Sequence, residues 1–400
     1  MTASLITLEI GGPEVITAEL VAAPGLRRPG LARRAWDTIC SAAEWLFGLV
    51  SIVLALSVLA TYPLLGLLSL GYLLESSGRI ARTGRLAAGF VGVRKAARLG
   101  GIVLGTWLLL LPVRFVSSMA ASARLIEPGG KADRAWSVAL IVLTTLVVIQ
   151  VVDACWRGGK LRHFLRPAPF HLIGRVGRAV RRLFSADEEP APRARDAVWH
   201  FVVGLRLPYY FWLGLRGFVG GLAWLFVPIT MLAAAQQVPI LGFLGAAGLV
   251  WVLLYLPFAQ TRFAAENRFR AMFEGAAVRA LYRKAPLAFL LALLVTLSFA
   301  LPLYLLKIEL LPREAAWLPS LVFVLFILPA RLVTGWATGY AMRRPRNRHW
   351  LLRLPVKPAM VGVAAVYVFF VYFTQFTSWY GVGSLYEQHA FLVPVPFLEM

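Results

Sequence analysis

Residues 286–306, PLAFLLALLVTLSFALPLYLL, make a run of twenty-one residues without a single charge, and the fold class follows from it. At 1.5 Å of rise per residue such a helix is about 31 Å long, the thickness of a bilayer's hydrocarbon core. Six more runs are nearly as apolar, at 101–117, 136–152, 217–235, 240–259, 317–340 and 360–377. Another, 44–75, has Thr61, Tyr62 and Pro63 at its middle and reads as one kinked helix or as a re-entrant hairpin. The expectation is an all-α, polytopic helical integral membrane protein. It has seven transmembrane helices, a proline-broken N-terminal hairpin or eighth helix, and amphipathic interfacial helices.

Composition agrees. The 400 residues are 59% hydrophobic and 15% charged, with a mean hydropathy of +0.72. Soluble globular chains run at about 45–50% apolar and about 25% charged. Only Cys40 and Cys155 are present, too few for a disulfide framework or a cysteine zinc site. The first twenty residues carry three glutamates and no basic residue, which argues against a cleaved secretory signal.

Forty-one basic residues face 19 acidic ones, a formal charge of +22. Nucleic acid is the usual partner of such an excess, but here the cations fill the short gaps between apolar runs. Segments 75–100, 156–216, 260–285 and 342–357 hold 30 of them, and the alternate segments 118–135, 236–239, 307–316 and 378–400 hold 5. Cytoplasmic loops collect Lys and Arg, so the first set is assigned to the cytoplasm and the C-terminus to the outside. A hairpin at 44–75 would put Arg27, Arg28, Arg33 and Arg34 on the basic side too, and the charge balance favours it. The chain then divides into an N-terminal cytoplasmic tail (1–43), a first membrane half (44–184), a linker (185–196), a second half (197–378) and an outer tail (379–400).

Within 171–184, HLIGRVGRAVRRLF, a helical turn of 100° per residue gathers Leu172, Ile173, Val176, Val180, Leu183 and Phe184 on one face. Arg175, Arg178, Arg181 and Arg182 fall on the other. Such a helix lies in the interface plane with its arginines on anionic headgroups, which makes these four the candidate lipid-binding residues. In the loop after 259, Arg262, Glu266, Arg270 and Glu274 stand four apart, which predicts a charge ladder on a helix continuing the preceding span. Gly335 and Gly339, like Gly217 and Gly221, have the spacing of close helix contacts.

Chemistry is sparse. No acid is expected at mid-membrane depth, as an ion-coupled carrier would need. Arg331 lies deep in its run and requires a partner, for which Asp153 and Gln150 are the candidates; the three together form the tentative ligand-binding set. Arg114 is near enough to the outer face to snorkel. The five histidines are scattered, and neither HExxH nor G-x-S-x-G, Walker A or GxGxxG occurs. No catalytic residue, metal or cofactor is nominated. The expected partners are anionic membrane lipids and a further protein, not nucleic acid. The best reading is a non-enzymatic membrane-organising or complex-forming component. A permease or lipid transporter centred on Arg331 is the alternative, and a membrane-bound enzyme the third.

The stretch GYLLESSGRIARTGR (71–85), which leaves a proline-containing apolar segment for a basic one, resembles a group of bacterial polytopic membrane proteins known as a domain of unknown function. The likeness covers about the first hundred residues. It implies a multi-pass inner-membrane protein and carries over no functional residue.

Overall fold

The computed structural model describes residues 31–165, 203–305, 317–376 and 381–387. The candidate lipid-binding residues Arg175, Arg178, Arg181 and Arg182, the linker and most of both tails lie outside them. The fold is helical throughout the described residues. Its helices are α1 (Leu31–Thr61), α2 (Pro63–Thr83), α3 (Val93–Ile126), α4 (Lys131–Trp156), α5 (Leu161–Leu165), α6 (Leu207–Ala233), α7 (Pro239–Glu266), α8 (Gly275–Lys284), α9 (Pro286–Leu305), α10 (Trp317–Arg343), α11 (Trp350–Thr374) and α12 (Ser384–Glu387).

Seven segments among the described residues are long and apolar enough to cross a membrane, and an eighth is the bent pair α8–α9. Six of the seven match runs read from the sequence. The seventh, Thr38–Thr61, comes from the stretch left open between kinked helix and hairpin. The break falls at Tyr62, whose extended backbone (φ −102°, ψ 130°) precedes Pro63 at the start of α2. Both arms are full helices: 24 residues of α1 suffice to cross, and the 21 residues of α2 span about 32 Å.

Helix α2 is the hub. It packs against α6, α7 and α10, and nearly every residue from Leu67 to Ala81 is buried. Small residues permit that enclosure. A Cβ placed on Gly71 would lie 1.8 Å from the Tyr210 carbonyl oxygen, and one on Gly214 would lie 1.9 Å from that of Leu67. The α2 and α6 backbones therefore touch, which only glycine allows. Gly78 meets the Ala264 backbone of α7, while Gly335 and Gly339 of α10 meet the Ser77 and Ala81 backbones. The Gly335/Gly339 spacing thus marks a helix contact, as its periodicity suggested, and Gly217 packs on Leu74.

Around this hub α9 packs on α10 and α11, and α7 on α11. Helices α3 and α4 pair chiefly with each other and leave Val103, Trp107, Phe115, Ile141 and Leu146 exposed. Exposed apolar side chains of this size belong against acyl chains rather than water. The residues of α1 from Glu44 onward meet the start of α3, through Trp45 edge-on to Phe90 at 5.2 Å and through Gly48 against Val93.

Replacing Gly71 or Gly214 by alanine is expected to destabilise the purified protein by ~3 kcal/mol, since the added methyl meets backbone rather than a movable side chain. Gly362→Ala, where no atom lies within 4 Å, is expected to be neutral or to stabilise by up to about 1 kcal/mol through helix propensity. Denaturant unfolding in detergent micelles measures both, and equal effects would remove the close-approach argument.

Candidate functional site: the basic end of the bundle

One face of α2 carries Glu75, Arg79 and Arg82, spaced to stack above one another along the helix. Glu75 is only 3% exposed and is fully engaged. Its Oε1 accepts from Arg79 Nε and Arg82 Nη2, both at 2.8 Å, and its Oε2 accepts from the Tyr209 hydroxyl at 2.8 Å. Arg82 also donates through Nη1 to the Ala264 and Ala265 carbonyls at 2.8 and 3.2 Å, placing a cation where the negative end of α7 needs one. Alongside, the Tyr72 hydroxyl donates to the Val91 carbonyl at 3.0 Å. Glu75 sits about 12 Å from the C-terminal end of α2, and the sequence reading did not single it out as buried. Read from the sequence it closes an apolar run; in the fold it is the anchor of α2 to α6.

The second charged cluster corrects the predicted ladder. Helix α7 does not run on into the loop. It stops at Glu266, and Asn267 takes a left-handed conformation (φ +53°) with its N–H bonded to the Phe263 carbonyl at 2.7 Å. Asparagine tolerates that conformation better than most residues, and the Asn267 Oδ1 accepts from Arg216 Nη2 of α6 at 2.7 Å. The chain then turns through Phe269–Met272 and returns as α8. Arg262, 8% exposed, pairs with Glu266 at 2.7 Å and with Glu274, twelve residues on, at 2.6 Å. Glu266 also pairs with Arg268. Arg262, Glu266, Arg268 and Glu274 therefore close a turn instead of forming a ladder along a straight helix.

These contacts bring the C-terminal ends of α2, α7 and α10 and the N-terminal ends of α6 and α11 to one end of the bundle. Arg343 at the end of α10 donates to the Ala81 carbonyl at 3.4 Å, and the Arg348 N–H donates to the Arg283 carbonyl at 3.0 Å. The chain reverses sharply there: α8 and α9 meet at 113°. Pro286 begins α9 and Ala285 before it leaves the helical region (φ −143°, ψ 60°), as a residue preceding proline tends to do.

Beside this reversal a cavity of about 690 Å³ opens between α7, α8, α9 and α11. Its wall carries Arg279 and Arg283 from α8 and Arg353 and Lys357 from α11, with no acid lining it among the described residues. Each pair is spaced by four, so each helix presents its two cations on one face. The Tyr282 hydroxyl donates to the Arg353 carbonyl at 3.3 Å, joining the two walls. Arg353 Nε is enclosed without a hydrogen-bond partner among the described residues. The rest of the wall is apolar or aromatic.

The residues nominated from the sequence have separate settings. Gln150 Nε2 donates to the His163 and Phe164 carbonyls at 3.0 and 3.3 Å, and Asp153 pairs with Arg157 at 2.5 Å; both tie α4 to the neighbourhood of α5. Burial, reinforced by Arg162, Arg157 and Lys160, holds the His163 imidazole below its ordinary pKa. Arg331 is 4% exposed on α10, which packs on α2, α7, α8 and α9. The nominated set is thus divided between two groups of helices. Arg279, Arg283, Arg353 and Lys357 escaped the sequence reading, although their spacing by four beside Tyr282 and Trp350 was visible there. Compared with known proteins, the chain matches no family model, no curated protein and no solved structure.

Glu75→Ala leaves two buried-side donors and the Tyr209 hydroxyl facing an empty volume, and is expected to cost ~2–3 kcal/mol; the half-exposure of both arginines limits the loss. Tyr209→Phe should cost about 1 kcal/mol. Equal unfolding midpoints for Glu75→Ala and wild type would dismiss the cluster as an anchor. The hydrogen bond from Arg262 holds the Glu274 carboxyl below its ordinary value of 4.5. Its contribution is therefore complete above that value and is lost as pH falls through the lowered one. Thermal unfolding against pH should show wild type and Glu274→Gln converging below pH 4.5 and separating above it.

Proposed function

We propose that this multi-pass membrane protein is a non-enzymatic component of the bacterial cytoplasmic membrane that holds anionic lipid at its basic end and organises or joins a larger assembly there. The carrying observation is the convergence of basic helix ends, among them Arg279, Arg283, Arg343 and Arg353, around the ends of α8, α10 and α11. Cations gathered at one end of a bundle match the negative surface of a cytoplasmic leaflet, where each contributes about 1 kcal/mol. The two carboxylate clusters of this end, at Glu75 and at Arg262, are occupied in holding helices together, which supports a binding role over a catalytic one.

The experiment is thermal unfolding of the full chain in nanodiscs whose phosphatidylcholine is replaced stepwise by phosphatidylglycerol. Unfolding temperature is expected to rise with the anionic fraction, and the rise should shrink at high salt as the charges are screened. A flat response would overturn the lipid reading. Stabilisation by a small soluble anion instead, lost in Arg331→Ala, would favour a permease built around that buried guanidinium.

A further inference from the structure

We propose that the cavity between α7, α8, α9 and α11 is a site for one anionic phospholipid, taken from the leaflet that borders the basic end. The inference rests on the anionic-lipid reading above and gives it a place and a stoichiometry.

Three features point to an anionic lipid, the second and third of them distinguishing it from a soluble anion. The first is charge: Arg279, Arg283, Arg353 and Lys357 converge on one volume with no acid in its wall among the described residues. Like charges gathered this way repel one another unless an anion lies between them. A phosphodiester accepts several charge-assisted hydrogen bonds, and arginine supplies a planar fork for it.

The second feature is the polarity gradient. Trp350 opens α11 at the basic end, and Met360 and Val361 line the same cavity ten and eleven residues later, about 15 Å along the helix. That distance is half of a bilayer's hydrocarbon thickness. Leu254 of α7 and Phe289 of α9 complete the apolar part. The cavity is therefore cationic at its mouth and greasy at the depth of one leaflet, with Trp350 and Tyr282 near the level that aromatic side chains favour.

The third feature is access. Leu354 is 64% exposed and Trp350 56%, on a helix whose outward face carries Val361, Val366, Phe369 and Phe370. A ligand arriving from the bilayer meets these apolar side chains, with Lys357 exposed between Leu354 and Val361. An acyl chain laid against Leu354 and Val361 would leave the headgroup among the four cations. A volume of about 690 Å³ accommodates a headgroup, the glycerol and the first methylenes, and the remaining chain stays in the bilayer.

Native mass spectrometry of the intact chain tests this, with short-chain phosphatidylglycerol, short-chain phosphatidylcholine and inorganic phosphate as probes. The expected result is one phosphatidylglycerol per chain, no retained phosphatidylcholine, and no displacement by phosphate. Arg279→Gln with Arg283→Gln, or Arg353→Gln with Lys357→Gln, should weaken that binding roughly thirtyfold. Arg94→Gln with Arg98→Gln on the exposed side of α3 should leave it unchanged. Leu354→Trp keeps all four cations and replaces an exposed residue that folding does not require. It should reduce occupancy by filling the apolar arm, so the test survives if a charge variant misfolds. Undiminished single-lipid binding in the charge variants and in Leu354→Trp would overturn the site, while the nanodisc response of the wild type would still stand. Displacement by inorganic phosphate would assign the cations to a soluble anion. Loss of the nanodisc response itself would remove both proposals together.

Discussion

The contact of α2 with α6, where Gly71 and Gly214 let two backbones touch, is the constraint on which the remaining helices depend. Because α2 can be approached this closely, α6, α7 and α10 all close around it, and Glu75 on its polar face is taken out of both lipid and water. Enclosure then imposes its own requirement, since a buried carboxylate has to be compensated. Two arginines from its own helix and one tyrosine from α6 supply that for Glu75. The same tyrosine hydroxyl thereby holds α6 in register against α2. Packing and electrostatics act on one interface, and either is incomplete without the other.

The basic end follows from how the helices stop. Asn267 ends α7 in a left-handed turn, Gly84 does the same for α2 (φ +77°), and Pro286 turns the chain sharply between α8 and α9. Each stop reverses the chain near the same level, and the cations that follow a span are left together there. Part of this charge is neutralised internally, at Glu75 and around Arg262. Among the described residues, the part on α8 and α11 is not matched by any acid in the cavity wall, and this difference separates a structural cluster from a binding surface.

Helices α3 and α4 show the opposite balance. They bury little besides each other, and their large side chains face outward. In water this would be unstable, but in a bilayer the acyl chains provide an equivalent environment and nothing is lost by the exposure. The protein thus combines a compact bundle around α2 with a paired arm whose surroundings are lipid.

The amino-acid sequence determined the class of the protein, most of its spans and the break at Tyr62–Pro63, because hydrocarbon thickness and the geometry of proline act locally and leave their mark in the order of residues. It also marked Gly335 and Gly339 as contact residues, through their spacing. It showed the stretch 71–85 as unusual without showing why. That the stretch is the centre of the bundle, that Glu75 is buried, and that Arg262 turns back to Glu274 were decided only by the tertiary structure. The reason is that each depends on a partner far away in the chain: Tyr209 lies 134 residues from Glu75. The cavity is of the same kind. Two pairs of cations on α8 and α11, each ordinary in its own helix, become one site only when the sharp turn at Pro286 and the return of α10 bring the two faces together.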